Sequence, residues 1–446
     1  MGRIRVALTG DSLMTRPLST VHDPALSALR DLIGSVDVAF TNLEFIAAHP
    51  PLVPRPRWHG LHVNAPTRAL DELVEFGFNL FSLAHNHTMD YSAGGLLQTL
   101  DALDRRAMVC AGAGRTLTEA RRPRYLDGPG FRAAVLAACS TDAPATIAAD
   151  PDGMTDGRPG ISGLRFSTDY ELRPEQYAAL AEIDEELGTA AGTRMAEALT
   201  IVLDGPATGN RRSFRFLNGR FVEAGETRVR TIPNPFDVED ISRWVHEAGR
   251  QADLVIVSLH CHEGAGGQYN QDTVADFALE AARRFVDAGA DLFVGHGPHQ
   301  LAGMEIYKGK PIFHSLGNFV FMPETVEILP TEFLRAAGLP SGATPSDFQN
   351  RREGGGEASP GFTGFNAYWE SVVPICVFDD GQLREVRLTP IVLDPGTEKS
   401  RRGVPFLADG QRGREILSRY AMLAQPFGAR VEIVESAGRV TGVVGP

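Results

Sequence analysis

The sequence predicts an α/β protein, on three observations. Short apolar runs rich in β-branched residues alternate with amphipathic helical patterns over most of the 446 residues. The apolar runs are continuous rather than alternating, as expected of strands buried on both faces. The residues that follow them are Gly, Asp, Asn and His, placed where the carboxyl ends of strands in an open α/β sheet meet in one crevice.

The elements follow in order. Arg5–Thr9 is expected as a strand, Pro24–Ile33 as a helix and Val36–Thr41 as a strand. Ala65–Phe76 is a helical pattern with Asn64 or Thr67 available as its cap, Asn79–Ala84 a strand and Ala93–Arg105 a helix. Arg132–Ala138 and Leu254–Leu259 are expected strands, then Thr273–Ala288 a helix and Asp291–Val294 a strand. Residues 151–235 break the rhythm with Gly, Pro and charge. They are expected as an insertion over the core with helices at Pro174–Leu187 and Arg194–Leu199. Residues 324–365, polar and glycine-rich, are expected as a mobile loop. Strand alternation resumes at Gly381–Leu393, and residues 396–446 are expected as a helical extension with a helix at Gly413–Ala424. Together these make a single domain over residues 1–446.

Composition excludes several classes. Hydrophobic residues make up 43% and charged residues 22%, an ordinary soluble globular balance. A net charge of −13 argues against a nucleic-acid partner, which needs a basic face against phosphates. The four cysteines, Cys110, Cys139, Cys261 and Cys376, lie far apart without Cys-x-x-Cys spacing, so buried free thiols are expected. With no hydrophobic signal core and no run long enough to span a bilayer, no membrane anchor is expected and the protein reads as cytoplasmic.

The chemistry gathers at strand ends. Gly295-His296-Gly297-Pro298-His299 follows the apolar run Leu292–Val294; its glycines and proline make a loop that can turn both imidazoles toward one point. Other junctions carry Gly10-Asp11-Ser12, Asn42-Leu43-Glu44, His85-Asn86-His87 with Asp90, and His260-Cys261-His262-Glu263. Singly each has a bland role: Asp11 as a helix cap, Glu44 as a solvated loop charge, Asn86 as a turn former, His260 as a core histidine. Packing alone does not place hard or imidazole ligands at every one of these junctions, and the set points to a metal site. His22, His49, His59, His62 and His246 lack such a setting.

The ordered set Gly10-Asp11, Asn42-Leu43-Glu44, Asn86-His87 with Asp90-Tyr91, Val257–His260, Gly295–His299 and the closing run Gly309–Phe321, with His314 and Asn318, resembles the CapA family of poly-γ-glutamate capsule proteins. That family is a branch of the calcineurin-like metallophosphoesterase superfamily. The resemblance spans residues 8–321, with a weaker match to about Leu393. It implies a four-layer α/β/β/α sandwich with two divalent metal ions at strand ends. By position, Asp11 and His299 would bind the first metal, Asn86, His260 and His296 the second, and Glu44 would bridge them. His87, with Asp90 beside it, would donate a proton or stabilise the transition state. Mixed N/O ligation suits Mn, Fe or Zn better than Mg or Ca.

The sequence departs from the superfamily pattern at Leu13, where a histidine is usual. The first metal is thus one protein ligand short, with His262, His314 and Asn42 as candidates to replace it. Cys261-His262-Glu263 stands where Trp-Gly often follows, so His262 is expected as a catalytic group or a ligand. Asn42, His85, Glu263, His314, Asn318 and Arg57 are the expected substrate contacts. The expected function is a dinuclear metal-dependent hydrolase in which a metal-bound hydroxide attacks an amide, peptide or lactam carbonyl of a small or peptide-like anionic substrate. A phosphoester hydrolase is one alternative. A noncatalytic, metal-stabilised component of capsule polymer synthesis or export is the other.

Overall fold

The computed structural model describes residues 2–56, 60–199, 211–353, 364–393, 398–436 and 438–445. The chain opens with β1 (Ile4–Leu13), α1 (Pro24–Gly34), β2 (Val38–Asn42), α2 (Arg68–Phe76), β3 (Leu80–Ser82), α3 (Ser92–Arg105) and β4 (Val109–Ala111). Neighbouring strands of this series pair in parallel, as helical crossovers require. A hairpin of β5 (Arg124–Gly128) and β6 (Phe131–Cys139) begins a second sheet.

An excursion follows, with β7 (Phe166–Leu172), α4 (Pro174–Glu186), α5 (Thr189–Ala198), β8 (Ser213–Phe216), β9 (Gly219–Glu223) and β10 (Arg228–Pro233). The chain then returns through α6 (Pro235–Gly249), β11 (Leu254–His260), α7 (Asp276–Asp287), β12 (Leu292–His296), β13 (Met304–Tyr307) and β14 (Lys310–Phe313). The second sheet has the order β13-β14-β12-β11-β6-β5. Next come β15 (Asn318–Phe321), α8 (Thr331–Ala336), α9 (Pro345–Arg352), β16 (Glu370–Asp379), β17 (Gln382–Leu393), β18 (Pro405–Leu407), α10 (Gly410–Ala424), β19 (Glu432–Ser436) and β20 (Arg439–Val444). These complete a ten-stranded mixed sheet ordered β19-β20-β17-β16-β1-β2-β3-β4, with β15 alongside β1 and β18 alongside β17.

The central strands of both sheets are buried on both faces, which explains the continuous apolar runs. In β1, Val6 and Leu8 join Val135, Ile256, Leu292 and Val294 of the second sheet in one apolar cluster, while Ala7 faces Leu29, Ile33, Leu70 and Leu73 of α1 and α2. In the second sheet, Leu136, Val257 and Phe293 turn the other way, onto Ile241 of α6 and Phe277 and Phe285 of α7. Period-two alternation thus divides each strand between two cores.

The α/β class stands, and most expected elements fall within a few residues of their sequence assignments. Three segments differ. The excursion carries a four-stranded sheet, β8-β9-β7-β10, in addition to its helices. Its strands were hidden because β7 buries acids instead of apolar residues: Asp169 takes a two-pronged bond from Arg220 at 2.7 Å, and Glu171 pairs with Arg211 and Arg228. Within the segment expected as a mobile loop lie α8 and α9, the latter started by a reciprocal cap in which Asp347 accepts from the Thr344 amide at 2.7 Å; residues 354–363 of that segment lie outside the described residues. The C-terminal segment expected to be helical has α10 but also three strands that widen the large sheet.

Candidate metal centre

The site forms where β1 and β2 of one sheet and β11 and β12 of the other reach their carboxyl ends. In register, Asp11 lies beside Asn42 on β2 and Asn318 on β15, and His260 lies beside His296 on β12. Close backbone approach makes this possible. A Cβ on Gly10 would stand 1.9 Å from the Gly317 carbonyl oxygen. Gly297, at φ +121°, turns the loop tightly, and a Cβ there would meet the Cys261 backbone at 2.8 Å.

Two triads of buried ligand-type side chains result: Asp11, His260 and His296, and Glu44, His262 and His299, the ligand atoms of each lying within 4.8 Å of one another. In the first, the Nδ1 atoms of His260 and His296 are 3.0 Å apart and lie 3.5 and 3.3 Å from Asp11 Oδ1. In the second, His262 Nδ1 is 2.5 Å from the Asn270 side-chain oxygen and so donates to it. That leaves His262 Nε2 as the lone-pair atom, 3.0 Å from His260 Nε2. His260 therefore stands between the triads, its Nε2 also 3.8 Å from Glu44 Oε1 and 3.1 Å from the Asn86 side-chain oxygen.

This grouping differs from the expected partition, because His260 and His296 are parallel neighbours and both face Asp11. His299 is 3.6 Å from Asp11 and 4.0 Å from Glu44, within reach of either triad. Leu13 lines the same pocket as His262 and His299.

The electrostatics suit a cation. Burial lowers His260 to about 4, against the opposing pull of Asp11, and also lowers His262 and His299, so the imidazoles present lone pairs. Burial works against the Asp11 charge, but hydrogen bonds from His260 and His296 hold its carboxyl well below the usual range. Two carboxyl groups buried among neutral imidazoles form a donor set that a divalent ion would balance. Asn42 donates to Asp11 Oδ1 at 2.8 Å, while its own side-chain oxygen is buried with no hydrogen-bond partner among the described residues.

Several residues expected as substrate contacts are hydrogen-bonded to, or packed against, residues of the triads. Asn42 orients Asp11. Asn318 lies with its Oδ1 2.9 Å from His299 Nδ1 and donates to the His299 carbonyl oxygen. His85 accepts from the His87 amide at 3.1 Å and packs beneath His260, away from the pocket lining. Two others lie on the far side. Glu263 accepts from Ser140 at 2.7 Å and from Thr141 and Cys261, and burial raises its pKa against those bonds. His314 packs on Phe427 with Glu305 3.7 Å away, and burial pushes it down to about 3. Alternation explains both: Glu263 follows His262 and His314 follows Phe313 of the inter-sheet core, so each turns to the opposite face. Arg57 lies outside the described residues.

His87 donates from Nδ1 to Asp90 at 2.7 Å, and Asp90 also accepts from the Val63 amide at 2.7 Å. The His87 Nε2 atom, thus fixed, stands 3.9 Å from Glu44. A pocket of about 340 Å³ opens over Asn86, His87, His262 and His299, walled by Leu13, Leu61, Phe321, Phe348, Tyr269, Asn270 and Arg352. Sequence patterns gave no signal for Tyr269, Asn270 or Arg352. Ser258, whose hydroxyl is 2.7 Å from His296 Nε2, could have been found two residues before His260 on the same strand face.

The fold and these triads define an α/β protein with a buried carboxylate–histidine centre suited to divalent metal. Residues 5–323 match the family described as bacterial capsule synthesis protein PGA_cap, and the chain belongs to that family. It is 32% identical to protein y4sH of Sinorhizobium fredii (strain NBRC 101917 / NGR234) over 97% of this chain and 91% of that one. It is 26% identical to the PGA biosynthesis protein CapA of Bacillus subtilis (strain 168), over 58% of this chain and 47% of that protein. To the capsule biosynthesis protein CapA of Bacillus anthracis it is 24% identical, over 72% of this chain and 60% of that protein. No helix among the described residues is long and apolar enough to cross a membrane.

Proposed function

We propose that this chain is a dinuclear metal-dependent hydrolase acting on an amide, peptide or lactam bond of a small or peptide-like anionic substrate. The observation that carries the reading is the pair of adjoining buried triads beneath an open pocket. Asp11, His260 and His296 would hold one divalent ion and Glu44, His262 and His299 the other, with the Asn86 and Asn42 amide oxygens within the same cluster. Mn, Fe or Zn suits these donors. Bound there, such ions would polarise a carbonyl or phosphoryl oxygen and make water nucleophilic at neutral pH. We further propose that the two packed sheets and their outer helices are the four-layer sandwich of the calcineurin-like metallophosphoesterases.

The residues of the chain do the rest. Asp90 fixes His87 so that its Nε2 faces the reacting bond, where it gives a proton or hydrogen bond to the leaving group. Asn270 sets the His262 tautomer, and Asn318 and Ser258 orient His299 and His296. Leu13, Leu61, Phe321 and Phe348 keep that side of the pocket apolar, which strengthens each polar contact within it.

The names of the Bacillus relatives, biosynthesis proteins, favour a second reading: a noncatalytic, metal-stabilised part of capsule polymer synthesis. Turnover separates the two. The metal-loaded protein is assayed on γ-glutamyl amides and nitrophenyl phosphates, with Glu44→Gln and His296→Ala as controls. Amide hydrolysis abolished in both variants supports the proposal. Phosphoester turnover alone selects the phosphoesterase alternative, and tight metal binding with no turnover on either class favours the binding role.

A further inference from the structure

The second triad is tied to a helix far along the chain. After His262 comes a loop, residues 263–273, whose exposed glycines Gly266 and Gly267 stand at φ +65° and +74°. A loop of this kind buries little apolar surface, so its shape depends on the bonds that fasten it. Asn270 sits in it at φ +54°, a left-handed conformation that persists where neighbours hold it. Its amide donates to the His262 carbonyl oxygen at 3.0 Å, and its side-chain oxygen accepts from His262 Nδ1.

A second fastening comes from α10. Gln300, buried beside His299, donates through Nε2 to the Asn270 carbonyl oxygen, and its Oε1 accepts from Arg419 at 3.2 Å. The chemistry of the donors fixes the order. A guanidinium has donors alone, so the Gln300 oxygen must face it, and the Gln300 amide nitrogen is left for Asn270. Arg419 also stands 3.6 Å from Asp272 of the same loop and 3.7 Å from Glu370 at the start of β16. A line of hydrogen bonds thus runs from Arg419 through Gln300 and Asn270 to His262. Residues 5–323 carry the family match, so α10 reaches the centre from beyond the matched segment.

We infer that Arg419 is a positioning residue of the metal centre: through Gln300 it holds Asn270 so that His262 keeps its proton on Nδ1 and offers Nε2 to a divalent ion. The inference rests on the reading of His262 as a metal ligand proposed above.

Two measurements test it. Nitrogen NMR of the metal-free protein reads the His262 tautomer, and titration with Mn²⁺ reads the ion that His262 helps to hold. Wild type is compared with Arg419→Met, Arg419→Lys, Gln300→Glu and Arg412→Gln. Gln300→Glu keeps an acceptor for Arg419 but takes away the donor to Asn270. Arg412→Gln removes a different contact of α10, the one to Glu370 at 2.6 Å. Wild type should carry the His262 proton on Nδ1. Arg419→Met and Gln300→Glu should show both tautomers and bind the more weakly held Mn²⁺ ion roughly tenfold less tightly, the usual cost of losing a group that orients a ligand. Arg419→Lys should recover most of that loss, and Arg412→Gln should match wild type. A wild-type ring protonated on Nε2 overturns the inference. So does an unchanged tautomer in Gln300→Glu, because any effect of Arg419→Met would then come from the helix itself. Wild-type Mn²⁺ affinity in both variants also overturns it. Mixed tautomers in both variants, beside a wild type that binds no Mn²⁺, would defeat the dinuclear reading and leave the hold of Arg419 on His262 standing.

Discussion

The Nδ1 atoms of His260 and His296 lie 3.0 Å apart on neighbouring parallel strands, and both face Asp11 Oδ1. Two imidazole nitrogens and a carboxylate oxygen converge there, inside a core where burial keeps the His260 ring neutral. Two imidazole nitrogens and a carboxylate oxygen so placed form a donor set that a divalent ion would satisfy. The predictions follow from that convergence and its neighbour around Glu44.

Acid should weaken the metal-free fold. His260 lies at about 4, and His262 and His299 are also lowered by burial, whereas an unfolded histidine titrates near 6.5. Between those values the unfolded chain binds more protons, so the stability from these rings is present above about 6.5 and is lost as pH falls toward about 4. Melting temperatures of chelator-treated protein should drop between pH 7 and pH 5, and apparent metal affinity should drop with them. A melting temperature flat or rising over that interval would count against neutral buried ligands.

His262 should replace the ligand absent at position 13. His262→Ala is expected to lose one metal per chain, and Leu13→His in that background should restore it, since Leu13 and His262 line the same pocket. Full occupancy in His262→Ala would assign that ring to the substrate instead.

The His87–Asp90 pair should act on turnover and spare metal content. His87→Ala should lower kcat by about 10² to 10⁴, the usual contribution of a positioned acid or base. Asp90→Asn should cost less, and should shift the pH profile of kcat by changing what His87 Nδ1 donates to. Metal loss in either variant would place His87 among the ligands.

Gly297→Ala should disturb the centre through the backbone. The substitution puts a Cβ 2.8 Å from the Cys261 backbone at φ +121°, a cost of order 1–3 kcal/mol. His296 and His299 flank the strained turn, so metal affinity should fall beyond the loss in melting temperature. An unchanged affinity would mean that the loop can re-form around the methyl group.

How much of this was legible in the sequence depended on what marks each feature. Strands buried on both faces announce themselves as apolar runs, and acids, amides and imidazoles at their ends stand out because packing has no use for them there. Asp11, Glu44, Asn86, His260, His296 and His299 were visible for that reason. Which face a residue takes just beyond a strand was not visible, so Glu263 and His314, expected at the site, lie behind it. The sheet of the excursion was hidden by buried ion pairs such as Asp169–Arg220, which read as surface charge. Arg352 depends on how a helix folds back over the strand ends, and no local pattern encodes that long-range placement.

The pair of metals is tested most directly by counting metal per chain in purified protein alongside the two single-triad variants, His296→Ala and His262→Ala, and their combination. The account predicts two divalent ions in the wild type, one in each single variant and none in the double. A wild type that holds no divalent ion, or a single ion lost equally in both variants, would contradict it.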